Sequence, residues 1–253
     1  MTRIEIKTKD GVCPSYVYRP TGGHTGNSPW PAVLVFMDGV GIRPVMLEIG
    51  ERLATHGYFV LLPDLFYRSG PYEPMDGHAV FADPAKRKIL MEKFFALATS
   101  ANIMADTRAF LDHLAAEPDV KSNGERGGIG TTGYCMGGLM SFTAAGTYPD
   151  RIAATASYHG GRLVTDAPDS PHLLAPKIKS RVYIAGATED ASFTDDMKAK
   201  LEAALSQAGV DHQIETYPAK HGWVFRDLPV YDAAAAERHW KTMVALFDGK
   251  LKQ

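Results

Sequence analysis

Cysteine is scarce in this sequence: Cys13 and Cys135 are the only two among 253 residues. Two thiols cannot supply the several disulfide bonds that hold small secreted scaffolds together, and so low a number is typical of proteins from a reducing compartment. We therefore expect a cytoplasmic protein, and we treat each cysteine as a single thiol.

An excess of either charge sign is also lacking, and so are long hydrophobic runs. The 27 lysines and arginines nearly balance 29 aspartates and glutamates, which leaves a formal net charge of −2 and no basic surplus for binding nucleic acid. No apolar run approaches the roughly 20 residues that span a membrane, and the N-terminus lacks the apolar core of a signal peptide. We expect neither nucleic acid nor a membrane as a partner.

The composition that remains is that of a folded globular protein. Hydrophobic residues make up 45% of the chain and charged residues 22%, which is enough apolar surface to bury a substantial core. No internal repeat, charge block or low-complexity linker divides the sequence. We therefore predict one domain over residues 1–253.

Strand and helix patterns alternate along most of the chain. Apolar and charged residues alternate at 4–8 and 16–18, which predicts an antiparallel hairpin at one edge of a sheet. Buried strands are predicted at 32–36, 58–62, 127–132, 153–158, 182–187 and 213–217, and helices at 45–56, 84–98, 101–116, 137–147, 195–208 and 233–251. This order predicts an α/β fold with a mostly parallel sheet of about seven or eight strands and helices on both faces. Ligands of such sheets bind beyond the carboxyl ends of the strands.

One strand-to-helix turn has the form of a nucleophile elbow. Gly133-Tyr-Cys135-Met-Gly137 follows a predicted strand and precedes a predicted helix, and its glycines permit the tight turn that exposes the central side chain. The helix N-terminus favours the thiolate of Cys135, and the N–H of Met136 would face a developing oxyanion. The alternative is a small buried cysteine in a glycine-rich turn. Cys13 lies in the hairpin, where we expect it only to pack.

A base and an acid for this thiol are predicted further along the chain. His221 follows the last predicted strand, which places it at the same sheet edge, and His159 at the end of an earlier strand is the main competitor. Glu189 and Asp190 end an intervening strand, and we favour Asp190 as the group that orients the imidazole. The order Cys135, Asp190, His221 agrees with the order of nucleophile, acid and histidine in this class of hydrolases.

These residues resemble the dienelactone hydrolases, or carboxymethylenebutenolidases, of the α/β-hydrolase superfamily. The most specific segments are Gly133-Tyr-Cys-Met-Gly-Gly138, Pro63-Asp-Leu65, His221-Gly-Trp223 and Tyr231-Asp-Ala-Ala-Ala-Ala-Glu237. The likeness covers nearly the whole chain. It implies the α/β-hydrolase fold and a Cys-His-Asp triad.

The resemblance also implies further site residues. The family places a glutamate beside the thiol, where it helps to switch the cysteine between resting and reactive states, and Asp38 occupies that place here. The N–H of Gly39 matches the family's second oxyanion donor. Family members that act on dienelactone hold the substrate carboxylate with arginines. Arg226 lies near one matching position, and Arg87 or Lys88 near the other.

We predict a hydrolase that cleaves a lactone or carboxylic ester through a cysteine acyl-enzyme, with a small-molecule ester or lactone as its partner. No cofactor and no metal are expected, because the sequence has neither an HExxH helix nor a closely spaced Cys/His ligand set. Two alternatives stay open. One is a general carboxylesterase or thioesterase without dienelactone specificity. The other is a non-catalytic ligand-binding or thiol-sensing protein, which would not need Asp190 and His221.

Overall fold

Eight strands form one sheet in the residues that the structure, a computed structural model, describes: 1–20, 28–121 and 128–252. The strands are β1 (Thr2–Thr8), β2 (Gly11–Tyr18), β3 (Ala32–Phe36), β4 (Phe59–Pro63), β5 (Ile129–Tyr134), β6 (Ile152–Tyr158), β7 (Arg181–Ala187) and β8 (His212–Tyr217). Their order is β1-β2-β4-β3-β5-β6-β7-β8. The pairs β1–β2 and β2–β4 are antiparallel, and the others are parallel. The predicted fold class and antiparallel edge are confirmed.

Burial distinguishes the central strands from the edge. Every residue of β3, β4 and β5 is buried, as expected of parallel strands covered on both faces. Most residues of β1 are exposed or half-buried. Continuous apolar runs therefore mark the centre of the sheet, whereas alternation marks its edge.

Helices cover the sheet. They are α1 (Pro44–Thr55), α2 (Gly77–Ala82), α3 (Pro84–Ile89), α4 (Ser100–Ala116), α5 (Met136–Thr147), α6 (Asp195–Gln207) and α7 (Ala233–Leu251). Side chains cap three of the long helices: Thr99, Thr194 and Asp232 each accept a hydrogen bond from a backbone N–H of the first turn. Among the described helices, none is both long and apolar enough to cross a membrane.

The prediction of a single helix at 84–98 was wrong. Only α3 is α-helical there, and a π-helical segment follows at Leu90–Phe95. Phe94 and Phe95 are adjacent in sequence, yet both pack against Phe66, with ring centroids 5.1 and 6.0 Å apart. The wider π-helical turn accommodates this packing, since π-helical turns often interrupt α-helices where side chains need repositioning. Sequence patterns also missed α2, which lies in a predicted loop.

Strand β5 leads into the predicted elbow. It ends at Tyr134 rather than at Thr132. The predicted start of this strand, Gly127, lies outside the described residues.

Candidate active site

Cys135 occupies a sharp turn between β5 and α5. Its φ of 54° and ψ of −116° are rare for a residue with a side chain. A Cβ added at Gly133 would lie 2.0 Å from the carbonyl oxygen of Gly137, and one added at Gly137 would lie 2.2 Å from that of Phe36. Only glycine fits at both places, so the turn that presents the thiol depends on these two residues.

Asp190 and His221 form a hydrogen-bonded pair beside this thiol. Nδ1 of His221 lies 2.8 Å from Oδ2 of Asp190, and the ring nitrogen donates because a carboxylate only accepts. The N–H and hydroxyl of Ser192 donate to Oδ1 of Asp190 at 2.9 and 2.6 Å. Cys135 and His221 line the walls of the same two cavities. Asp190 is thus fixed by Ser192 and in turn orients the imidazole.

The contacts of this pair change both pKa values. Burial lowers the pKa of His221, but the hydrogen bond with Asp190 and the proximity of Cys135 outweigh this effect and raise it to about 10. Burial raises the pKa of Asp190, but hydrogen bonds from His221 and Ser192 lower it to about 2. At neutral pH the pair is therefore an imidazolium and a carboxylate.

Neither of the two alternative candidates, Glu189 and His159, takes part in this hydrogen-bonded pair. Glu189 is exposed, whereas its neighbour Asp190 contacts the imidazole. His159 is fully buried, and its ring centroid lies 4.9 Å from that of His221. Within the described ranges neither ring nitrogen of His159 has a hydrogen-bond partner, so it lacks the carboxylate that a triad histidine needs.

Asp38 is held by Arg43, a residue that the sequence analysis missed. Nη1 and Nη2 of Arg43 lie 2.7 and 3.0 Å from the two oxygens of Asp38, and Nε lies 2.7 Å from Oδ2 of Asp227. The N–H of Val40 also donates to Asp38, at 3.0 Å. Burial raises the pKa of Asp38, and the charge of Arg43 opposes this rise. Both oxygens of Asp38 are therefore engaged by Arg43 rather than by the thiol.

Two cavities meet at Cys135 and His221. The larger cavity has a volume of about 860 Å³, and its other lining residues include Phe95, Met136, Leu139, Arg162, Asp169 and Ser192. The smaller cavity has a volume of about 430 Å³, and its other lining residues include Asp38, Gly39, His159, Phe225, Leu228 and Val230. Of the two expected oxyanion donors, Met136 lines the larger cavity and Gly39 lines the smaller one. A carbonyl group beside the thiol could therefore carry a substituent in either direction.

Comparison with known proteins settles the family. The model of the "Dienelactone hydrolase family" matches residues 14–251. This chain belongs to the dienelactone hydrolase family. Two curated relatives are each named "Putative carboxymethylenebutenolidase". The one from Synechocystis sp. is 28% identical over 228 residues, which cover 88% of this chain and 87% of the relative. The one from Escherichia coli K12 is 29% identical over 247 residues, which cover 96% and 84%.

A solved structure shares the fold of this family member. The crystal structure of a "Putative Dienelactone Hydrolase" from Klebsiella pneumoniae superposes with a TM-score of 0.80, at 22% identity and with 97% of each chain covered. The predicted α/β-hydrolase fold is confirmed. The chain is a hydrolase of the dienelactone hydrolase type.

Sequence comparison matched Arg226, and Arg87 or Lys88, to the family's carboxylate-binding arginines. None of these residues lines the two cavities at Cys135. Arg226 forms an ion pair with Glu48 on the wall of a separate cavity between α1 and α7. Arg87 is exposed on α3, and Lys88 pairs with Glu92 at 3.7 Å, one helical turn away. The sequence did not indicate the pairing of Arg226 with Glu48, because the two residues lie far apart along the chain.

Another arginine lines the larger cavity of this dienelactone hydrolase. Arg162 is exposed and has a φ of 57°. Its backbone N–H donates to the carbonyl oxygen of Ser192 at 2.7 Å, which ties its loop to the loop of Asp190. Arg162 follows the end of β6 and two glycines, so its position at the carboxyl end of a strand was a signal that could have found it.

The described residues contain no group of three or more His, Cys, Asp or Glu side chains arranged to hold a metal ion. The side chains that line one cavity together are the thiol of Cys135, the imidazole of His221 and the carboxylate of Asp190. Such an arrangement can carry out acyl transfer with protein groups alone.

Proposed function

We propose that this protein hydrolyses a lactone or carboxylic ester through a cysteine acyl-enzyme, with Cys135, His221 and Asp190 as its triad. The observation that carries the proposal is the Asp190–His221 hydrogen bond in the wall of a cavity that Cys135 also lines, with Cys135 at a turn that only glycines permit. A structural cysteine needs neither the oriented imidazole nor the strained backbone.

In the first half of the reaction Cys135 attacks the ester carbonyl carbon, and its thiol proton resides on His221. The carbonyl electron pair moves to oxygen, where the N–H groups of Met136 and Gly39 stabilise the negative charge. The carbon–oxygen bond then breaks, and His221 returns the proton to the leaving oxygen. In a lactone this oxygen stays attached to the acyl group.

In the second half water releases the product. His221 takes a proton from water, and the water oxygen attacks the thioester carbonyl carbon. The carbon–sulfur bond breaks and its electron pair returns to the sulfur, while the proton from water stays on His221, which restores the starting state. Asp190 holds the ring in one orientation through both halves.

A carboxylate on the substrate has a cationic partner in the larger cavity. Arg162 lines that cavity together with Cys135, whereas Arg226 and Arg87 lie away from the thiol. We propose Arg162 as the residue that favours esters and lactones carrying a free carboxylate, in the manner of dienelactone.

The second candidate function is a general carboxylesterase or thioesterase. The smaller cavity favours it, because most of its lining side chains, such as Phe225, Leu228 and Val230, are apolar. Rates on a neutral ester and on its matched analogue with a free carboxylate separate the two functions. A preference for the carboxylate supports the dienelactone type, and equal rates or a preference for the neutral ester support the general esterase.

The covalent intermediate provides the test of the proposal. Wild-type protein is mixed with p-nitrophenyl acetate, quenched in acid and analysed by peptide mass spectrometry. We expect one acetyl group on the peptide that carries Cys135, and none on that peptide after Cys135→Ala. Rapid release of p-nitrophenol with no acyl group on Cys135 at any quench time would contradict the proposal.

A further inference from the structure

His159 is a buried polar side chain in the wall of the smaller cavity. It has no exposed surface, and it lines this cavity together with Cys135 and His221. In residues 1–20, 28–121 and 128–252, neither of its ring nitrogens has a hydrogen-bond partner. Leaving a buried polar atom unpaired costs about 1–3 kcal/mol, so this imidazole requires an explanation.

Apolar packing holds the His159 ring in place. Its centroid lies 4.9 Å from that of His221, 4.8 Å from Trp223 and 5.9 Å from Phe225. Its backbone has a φ of 39°, a left-handed conformation that costs energy for a residue with a side chain. The fold thus fixes the ring of His159 beside that of His221 with a strained backbone, yet gives its nitrogens no partner within the described residues.

The position in the cavity wall distinguishes His159 from another unpaired group nearby. Nε1 of Trp223 also lacks a partner within the described ranges, but Trp223 is not among the residues that line either cavity. His159 is therefore an unpaired buried group in the wall of a cavity that Cys135 also lines. The other polar side chains of that wall are Cys135 and His221 of the proposed triad, the exposed His78, and Asp38, whose oxygens already accept hydrogen bonds from Arg43.

The His159 ring is neutral, which determines what it can bind. Burial, followed by the nearby His221 and His239, lowers its pKa well below the ordinary value for histidine. A neutral imidazole has one nitrogen that donates and one that accepts. It can therefore bind a hydroxyl or a carbonyl oxygen, but it gives an anion no opposite charge.

We infer that His159 is a substrate-binding residue that forms a hydrogen bond with an oxygen of the largely apolar group occupying the smaller cavity. The apolar lining by Phe225, Leu228 and Val230 suits a hydrocarbon ring, and the buried, unpaired imidazole of His159 suits one oxygen on that ring. This inference extends the proposed function. It rests on that function because it takes the molecule in the smaller cavity to be the ester substrate. It assigns the specificity for that oxygen to His159.

Binding of two small probes to the Cys135→Ala protein tests the inference without hydrolysis. Phenol and toluene have nearly the same shape, and only phenol carries an oxygen. With ¹⁵N-labelled histidine, phenol should move the His159 ring nitrogen resonances, whereas toluene should leave them almost unchanged. Failure of the proposed function would appear separately, as an absence of ester hydrolysis by the wild type.

Variants at His159 complete the test. In the Cys135→Ala background, His159→Phe should lower the ratio of phenol affinity to toluene affinity about tenfold, as expected for one lost hydrogen bond. His159→Gln should restore part of the ratio, because its amide also donates and accepts. An unchanged ratio in His159→Phe, unmoved His159 resonances, or no binding of either probe would each overturn the inference. The NMR comparison decides alone if neither variant folds.

Discussion

Arg43 holds the Asp38 carboxylate by both oxygens, with Nη1–Oδ1 and Nη2–Oδ2 distances of 2.7 and 3.0 Å. Both side chains are buried. Asp38 directly precedes Gly39, and Arg43 also contacts Asp227, which lies on the chain segment that follows His221. One arginine therefore connects the segment of an expected oxyanion donor to the segment of the triad histidine.

Replacement of Arg43 should destabilise the protein strongly. Arg43→Met leaves the buried Asp38 without its counter-charge, which costs about 3–5 kcal/mol. The free energy of unfolding in urea measures the loss. Arg151→Met is the matched control, because Arg151 forms a more exposed pair with Asp112 at 2.9 Å, and such a pair contributes about 1 kcal/mol or less. Equal losses in the two variants would contradict the role of the buried pair.

The Asp190–His221 pair should make stability depend on pH. The pKa of His221 is raised from 6.5 to about 10, so its contribution is complete below pH 6.5 and is lost as the pH rises through 10. The pKa of Asp190 is lowered from 3.8 to about 2, so its contribution is present above pH 3.8 and is lost as the pH falls through 2.

Urea unfolding between pH 6 and pH 10.5 tests this dependence. Asp190→Asn should flatten the decline in unfolding free energy that the wild type shows across the interval from about 6.5 to about 10. Glu189→Gln removes the neighbouring exposed carboxylate and should leave the wild-type decline unchanged. If the profiles of all three proteins coincide, Asp190 does not stabilise the charged imidazole.

A methyl group in the elbow should disrupt the fold locally. At Gly137 the added Cβ would meet the backbone carbonyl oxygen of Phe36 at 2.2 Å, so Gly137→Ala should lower the unfolding free energy by at least about 2 kcal/mol. In α7 a Cβ at Gly249 meets nothing within 4 Å. Gly249→Ala should therefore stabilise the helix by about 0.5–1 kcal/mol. Thermal or urea unfolding gives both values, and a Gly137→Ala protein as stable as the wild type would refute the elbow geometry.

Much of the site was predictable because its signals are local. The glycines around Cys135 and the position of His221 after the last strand follow from short patterns, and strand order then brings these residues to one edge. Contacts between distant segments were not predictable in this way. Arg43 and Asp227 are 184 residues apart in sequence, and nothing near Arg226 indicated that Glu48 would pair with it.

The preference for a substrate with a free carboxylate should depend on Arg162 rather than on Arg226 or Arg87, the arginines that the family resemblance indicated. Arg162→Gln should lower kcat/KM about tenfold for an ester with a free carboxylate, because an ion pair is lost. The rate on the matched neutral ester should stay nearly the same. Arg226→Gln and Arg87→Gln serve as controls and should change neither rate. A selective loss in Arg226→Gln instead would move carboxylate binding to that residue.

The nucleophile is the central claim, and the loss of dienelactone absorbance over time near neutral pH tests it most directly. The proteins to compare are the wild type, Cys135→Ala and Cys13→Ala, the last as a control because Cys13 is buried in β2 away from the site. We expect turnover by the wild type and by Cys13→Ala, and a loss of at least about a thousandfold in Cys135→Ala. Turnover by Cys135→Ala at the wild-type rate would contradict a cysteine acyl-enzyme.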